Sequence, residues 1–137
     1  MGLVYADLEI YNGIDYALMM QNKNNKANKI NVTALVDTGA YLLAINEIIK
    51  SKLNLITLSR QSIELANGNI EEVEIVGPVS VVFQNRQTSC NAAVLPGDSE
   101  VLLGAIPMED LDVIINPKTQ RIEVNPESPD RAKKKMK

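Results

Sequence analysis

The stretch Ala34-Leu35-Val36-Asp37-Thr38-Gly39-Ala40 decides the fold of this chain. An apolar run typical of a buried strand ends in a carboxylate, and a buried carboxylate is costly unless it is hydrogen-bonded or paired. Thr38 offers a hydroxyl group, and Gly39 allows the backbone to turn sharply. The triplet can therefore present a carboxylate for acid–base chemistry. The simpler interpretation, a strand that runs into an ordinary turn, stays open on these three residues alone.

Composition narrows the catalytic groups that this chain can use. Its 137 residues contain no histidine and one cysteine, Cys90. Histidine-dependent nucleophilic catalysis is therefore excluded, and one thiol cannot form an internal disulfide or a multi-cysteine metal site. Cys90 lies in an alternating apolar segment, which favours a buried structural thiol over a nucleophile. Carboxylates remain the main catalytic candidates, with lysine and tyrosine as minor ones, and we expect no cofactor or metal.

Length and apolar composition fit one domain with an aliphatic core. The chain has one Phe, four Tyr and no Trp, which gives little support to nucleic-acid recognition by base stacking. No apolar run is long enough to span a bilayer, and the first residues lack the basic start of a signal peptide. We therefore expect a cytoplasmic protein without nucleic-acid or membrane partners.

Charge is distributed unevenly along the chain. Of 14 basic residues, five lie in the last seven positions: Arg131, Lys133, Lys134, Lys135 and Lys137. A short Lys-rich end is typically solvated, so the sequence predicts a domain over 1–125 and a basic, disordered tail over 126–137. A tail that binds nucleic acid is an alternative. It would require salt-dependent retention on DNA that is lost on deletion of residues 131–137.

Alternating apolar residues and turn signals predict an all-β domain with two short helices. The predicted helices cover 47–53, which Asn46 caps, and 107–112, which begins at Pro107. The strongest hairpin signal is Asn67-Gly68, between strands predicted at 61–66 and 70–76. The other strands are predicted at 3–11, 16–21, 30–36, 79–83, 87–95, 101–104, 113–115 and 121–124, with an exposed loop over 22–29.

Four segments in this order resemble a retroviral-type (retropepsin-like) aspartic protease of the small, single-domain bacterial kind. They are the run 34–40, the hairpin with Ala66-Asn67-Gly68 at its tip, the run Val101-Leu102-Leu103-Gly104, and the run 112–117 with its return at 120–122. The resemblance covers roughly residues 3–125, nearly the whole chain. It implies an all-β, closed or partly open β-barrel of a single lobe, with one or two short helices and a flap hairpin.

The resemblance also implies one catalytic carboxylate, Asp37, and three groups of residues around it. These groups are the active-site loop (Thr38, Gly39, Ala40), the flap tip (Asn67, Gly68) and the supporting strand (Leu102, Leu103, Gly104). By resemblance, Thr38 hydrogen-bonds across a dimer interface, and Gly39 lets backbone N–H groups approach the carboxylates. An ordinary hairpin tip and a simple core strand remain the alternatives for the other two groups.

Peptide hydrolysis by aspartates needs one ionised carboxyl to activate water and one protonated carboxyl to polarise the carbonyl. This chain supplies one such Asp and is too short for two lobes. We therefore expect a homodimer with Asp37 of each subunit on the two-fold axis, and a peptide or protein as substrate. The chain departs from the family in two places: Tyr41 and Leu42 stand where many relatives carry an acid, and Ala105 stands where some viral relatives carry an arginine. A catalytically inert dimerisation or peptide-binding module of the same fold is the alternative.

Overall fold

Nine strands and three short helices occupy the part of the chain that the computed structural model describes, residues 2–22 and 26–136. The strands are β1 (Tyr5–Asn12), β2 (Lys29–Val36), β3 (Leu43–Asn46), β4 (Ile56–Glu64), β5 (Ile70–Phe83), β6 (Arg86–Leu95), β7 (Leu102–Leu103), β8 (Val113–Asn116) and β9 (Arg121–Val124). The helices are α1 (Gly13–Gln21), α2 (Glu47–Lys52) and α3 (Ala105–Asp110). The predicted, mostly β class is confirmed. None of the helices described here is long and apolar enough to cross a membrane.

One sheet contains all nine of these strands, in the order β4-β5-β6-β3-β7-β2-β1-β9-β8. An additional pairing between β5 and β1 closes six of them into a ring, β5-β6-β3-β7-β2-β1. The main core is almost entirely aliphatic, with Ile10, Leu43 and Leu103 fully buried and Phe83 as its one phenylalanine. The shortage of aromatic residues in the sequence requires a core of this kind.

The predicted strand over 16–21 is wrong, because these residues belong to α1. The Asn12 side chain caps the helix, since its Oδ1 accepts from the backbone N–H groups of Ile14 (3.0 Å) and Asp15 (3.2 Å). Behind that cap, Ala, Leu and Met are favourable helix formers. The Asn12-Gly13 pair, which lies between the strands predicted at 3–11 and 16–21, therefore opens a helix.

Tertiary pairing explains the other differences from the predicted elements. No alternating pattern marks β3, and it forms because it pairs in parallel with β6 and antiparallel with β7. β5 continues through Gly77-Pro78, where its register against β6 shifts. β4 begins at residue 56, five residues earlier than predicted, and α3 begins at residue 105. The predicted loop over 22–29 includes residues 23–25, which lie outside the described residues.

A buried arginine connects the C-terminal segment to the sheet. Arg86, at the start of β6, is 1% exposed. Its Nη2 donates to the carbonyl of Ser128 (2.5 Å), and its Nε donates to the carbonyl of Asp112 (3.3 Å). The Asp112 carboxylate accepts from the Ser128 hydroxyl (2.5 Å), the Lys133 N–H (2.9 Å) and the Asn125 side chain (3.0 Å). The domain boundary at residue 125 and the disordered tail beyond it stay predictions. Disruption of these contacts can test them.

Asp112→Asn is expected to lower the melting temperature at neutral pH but not in strong acid. Hydrogen bonds from Ser128, then from Lys133 and Asn125, hold the pKa of Asp112 at about 2, below its usual 3.8. Because the folded-state pKa is depressed, the ionised group stabilises the fold above about pH 4, and this contribution disappears as pH falls towards 2. Thermal melts from acidic to neutral pH measure the difference between variant and wild type.

The matched control is Asp130→Asn, because Asp130 is exposed and its side chain accepts no hydrogen bond within the described residues. This variant should melt within about 1 °C of wild type at every pH, as surface substitutions usually do. A difference between Asp112→Asn and wild type that stays constant with pH would contradict the assigned role of these hydrogen bonds.

Candidate active site

The carboxylate of Asp37 lies directly after β2, at a point where three strands meet. β7 lies between β2 and β3, and it places Leu103 opposite Val36 on one side and opposite Leu43 on the other. The Asp37 N–H donates to the Leu103 carbonyl (3.0 Å), which continues the ladder one residue beyond β2. Leu103 is fully buried. Packed strands therefore fix the position of the acid.

The loop backbone orients one oxygen of this carboxylate. Oδ1 of Asp37 accepts from the Gly39 N–H (3.0 Å), and the Asp37 carbonyl accepts from the Ala40 N–H (3.1 Å). Oδ2 accepts no hydrogen bond from any of the residues that the structure describes. The Asp37 residue is partly buried, whereas Thr38 and Gly39 are exposed. One carboxylate oxygen is thus held by the loop, and the other is available to water, a substrate or a second carboxyl.

A glycine allows the start of α3 to approach the loop closely. A Cβ atom on Gly104 would lie 2.1 Å from the carbonyl oxygen of Leu42 and 2.8 Å from that of Ala40. Next to this contact, the Ala105 N–H donates to the Ala40 carbonyl (2.7 Å). Only glycine fits at such a separation. The structure therefore brings Gly104 and Ala40 together, while their roles as supporting strand and active-site loop stay predictions.

The surface beside the loop carries two exposed apolar side chains. Tyr41 is 76% exposed and Ile106 is 56% exposed, and the Ile106 N–H donates to the Tyr41 carbonyl (3.1 Å). Exposed apolar side chains of this size are typical of contact surfaces for peptides or other subunits. Sequence reasoning missed Ile106. No sequence pattern marked Ile106 as exposed, and the structure places it on α3 next to the buried Pro107.

β4 and β5 form the long hairpin predicted at Asn67-Gly68. The two strands pair over residues 56–64 and 70–77. At the tip, Gly68 has a φ of +84°, a conformation that favours glycine, and no described atom lies within 4 Å of its potential Cβ. The Asn69 N–H donates to Oδ1 of Asn67 (2.9 Å) and closes the turn. The tip is therefore an exposed turn that its own hydrogen bonds maintain.

A small apolar group, the bridging cluster, joins this hairpin to the Asp37 loop. Its members are Leu42, Ile63, Val73, Ile75 and Ala93. Val73, Ile75 and Ala93 are buried, and Leu42 packs against them from the loop. Leu42 lies only five residues after Asp37. The base of the hairpin is therefore anchored to the segment that carries the carboxylate.

The other acids near the sequence motifs occupy different surroundings. Asp110 accepts from the Thr88 hydroxyl (2.5 Å) and pairs with Lys134 (2.9 Å), and the Thr88 hydrogen bond is the main cause that lowers its pKa. Asp98 and Glu109 are exposed. Within residues 2–22 and 26–136, no three His, Cys, Asp or Glu side chains converge to hold a metal ion.

The cysteine is poorly suited to nucleophilic attack. Cys90 lies on β6 and is partly buried. Burial, with a smaller effect of Asp110, raises the pKa of its thiol to about 12. A thiol with this pKa stays protonated at neutral pH, and the thiolate is the reactive form.

Comparisons with solved structures and with family models establish the fold and the family of this chain. A crystal structure of the retroviral protease-like domain of Ddi1 from Leishmania major matches with a TM-score of 0.56, over 92% of this chain and 90% of that one. At 14% sequence identity this likeness shows the fold alone, which is retropepsin-like. A model of the gag-polyprotein putative aspartyl protease family matches residues 24–120, and the chain belongs to that family. A sequence search of curated proteins gave no significant match.

The resemblance inferred from the sequence motifs is therefore confirmed at the level of fold and family. The matched region contains Asp37, the hairpin tip and the run 101–104. The individual roles of these residues, and a bacterial origin, stay predictions.

Proposed function

We propose that this protein is an aspartic endopeptidase that acts as a homodimer, with Asp37 as the catalytic carboxylate of each subunit. The observation that carries the proposal is the hydrogen bond from the Gly39 N–H to Oδ1 of Asp37, in a loop held by β7 and α3. It orients the carboxylate before substrate binds and leaves its second oxygen available. Membership of an aspartyl protease family supports the same chemistry.

Two Asp37 carboxyls can perform a reaction that one cannot. The ionised carboxyl takes a proton from water as the water oxygen attacks the peptide carbonyl carbon. The protonated carboxyl hydrogen-bonds to the carbonyl oxygen, and a proton passes to the leaving amine as the C–N bond breaks. Like charges at close range cannot both ionise, so the pair shares one proton and titrates as a unit. The chain carries one Asp-Thr-Gly, and the second carboxyl therefore comes from a second copy across a two-fold axis.

The residues around Asp37 have supporting roles in this proposal. The exposed Thr38 hydroxyl hydrogen-bonds to the partner's loop and fixes the separation of the two acids. Gly39 supplies the N–H that orients the carboxylate, and Ala40 joins the loop to α3. The supporting strand, Leu102, Leu103 and Gly104, holds the loop from below.

The proposed substrate is a peptide that lies extended between the loop and the hairpin. Main-chain hydrogen bonds would give affinity, and pockets would recognise alternate side chains. The open turn at Gly68 allows the hairpin tip to bend over the peptide and exclude water. The proposal includes no cofactor, no membrane or nucleic-acid partner, and a cytoplasmic location.

A pepstatin-type transition-state analogue is expected to inhibit competitively, with one molecule bound per two chains. This ratio follows because both acids contact the same inhibitor on the two-fold axis. Isothermal titration calorimetry gives the stoichiometry, and sedimentation at the same concentration gives the mass of the particle. One inhibitor per chain, or a stable monomer that still cleaves peptides, would contradict the dimeric site.

An inert dimerisation or peptide-binding module of the same fold is the second candidate. The observation that favours it is the absence of any acid between Asp37 and Glu47. Tyr41, which is exposed, stands where many relatives carry an acid. Such a loop lacks a second carboxylate to hold a substrate backbone. Peptide binding without turnover at any pH from acidic to neutral would establish the module and refute the enzyme.

A further inference from the structure

The two faces of the β4–β5 hairpin differ in chemistry. Alternate residues along a strand point to opposite faces of a sheet. Val73 and Ile75 point to the inner face, defined here as the face that packs against Leu42. The register of β5 against β4 is continuous over residues 70–75. The same alternation therefore places Glu71 on the inner face.

The two other acids of this strand lie on the outer face and are already paired. Oε1 of Glu72 lies 2.6 Å from Nε of Arg60, and Oε2 of Glu74 lies 2.7 Å from Nζ of Lys50. The hydrogen bond from Lys50 is also the main cause that lowers the pKa of Glu74. Each of these two carboxylates is therefore already neutralised by a cation of this chain.

Glu71 has no such partner. It is exposed, and no cation or hydrogen-bond donor in the described part of the chain contacts its carboxylate. It pairs opposite Ile63, a member of the bridging cluster. It lies two residues further from the hairpin base than Val73, which is about 7 Å along the strand. Its carboxylate therefore lies at the tip-side edge of the bridging cluster, next to Ile63, on the face against which Leu42 packs.

We propose that Glu71 determines substrate specificity by selecting peptides with a Lys or Arg side chain over peptides with a neutral or acidic one. This inference rests on the proposed peptide cleft beside Asp37. Arg binds a carboxylate through two parallel hydrogen bonds and Lys binds it as a compact charge, so both satisfy Glu71. In a homodimer the two-fold axis supplies one Glu71 on each side of the cleaved bond. Basic residues are therefore selected on both sides.

The test compares wild type with Glu71→Gln and with the outer-face control Glu72→Gln. A peptide library, prepared from a proteome with a protease that cuts at acidic residues, reveals cleavage sites by mass spectrometry. In the best substrate of wild type, a Lys-to-Gln change is expected to lower kcat/KM about three- to tenfold. Glu71→Gln should bring this ratio close to one, and Glu72→Gln should keep it. Added salt should also reduce the ratio in wild type.

The outcomes separate this inference from the proposed function. Cleavage by wild type without a preference for basic residues, or a preference that survives Glu71→Gln, overturns the role of Glu71 and leaves the protease intact. If nothing is cleaved, fluorescence anisotropy is measured with peptides that carry Lys, Gln or Glu at each position in turn. A Lys preference that Glu71→Gln removes supports Glu71 in a peptide-binding module. Equal binding of the three peptide sets overturns it.

Discussion

Asp37→Asn is expected to reduce peptide hydrolysis by at least about 10³-fold while the fold and the dimer persist. The substitution keeps the size of the side chain, and its remaining oxygen can still accept from the Gly39 N–H. It removes the ionised carboxylate and the shared proton from both halves of the site, since each subunit carries the same change. The rate constant kcat on a library-selected peptide measures the loss, and circular dichroism with sedimentation checks fold and mass.

Two comparisons sharpen this experiment. Asp98→Asn makes the same chemical change in an exposed turn and should cleave within about twofold of wild type. Mixed dimers with one wild-type and one Asp37→Asn subunit should also be inactive, because both acids serve one site. Half of the activity in the mixed dimers would indicate two independent sites. Full activity in the Asp37→Asn homodimer would refute the proposed mechanism.

Gly104→Ala is expected to have the second-largest effect, a loss of about 2–4 kcal/mol in the free energy of unfolding. The added Cβ would lie 2.1 Å from the carbonyl oxygen of Leu42 and 2.8 Å from its nitrogen. Both are backbone atoms that cannot rotate away, so the loop must separate from α3. The hydrogen bond from Ala105 to Ala40 then lengthens. Thermal melts should show a fall in Tm on the order of 10 °C.

Gly68→Ala is the matched control, because it adds the same methyl group in open space. Its cost comes from backbone strain at a φ of +84° and should be about 1 kcal/mol. Equal losses at the two positions would contradict the close approach of α3 to the loop. Loss of activity in Gly104→Ala beyond the loss of folded protein would show that the displaced loop misplaces Asp37.

Local signals predicted the parts of the fold that depend on short stretches of chain. The Asn67-Gly68 turn fixed the hairpin, and the side chain of Asn46 caps α2 by accepting from the Ile49 N–H (2.9 Å). The Asn12-Gly13 pair did not indicate α1, because the same two residues can form a turn or cap a helix. β3 carried no signal, since it exists through its pairing with β6 and β7.

In the candidate site, too, local sequence signals predicted some features and tertiary contacts decided the others. The Asp37 loop is a contiguous pattern, an apolar run into Asp-Thr-Gly, so the sequence could mark it, whereas the supporting strand was implied only by the family resemblance. The sequence did not reveal the positions of Ile106 and Leu42, which depend on the hydrogen bond from Ile106 to Tyr41 and on the packing of Leu42 against β5. Nor does the sequence record which acids of β5 have a cation close to their carboxylates.

The sequence by itself left carboxylates as the main candidates for catalysis, with lysine and tyrosine as minor ones, since the chain lacks histidine and carries one cysteine. It also determined the family, because four motifs occur in a fixed order. Only the tertiary structure decided why Gly104 must be glycine, which acid of β5 stays unpaired, and how Arg86 holds the C-terminal segment. These properties depend on register and close contact between residues distant in the chain, which no local pattern specifies.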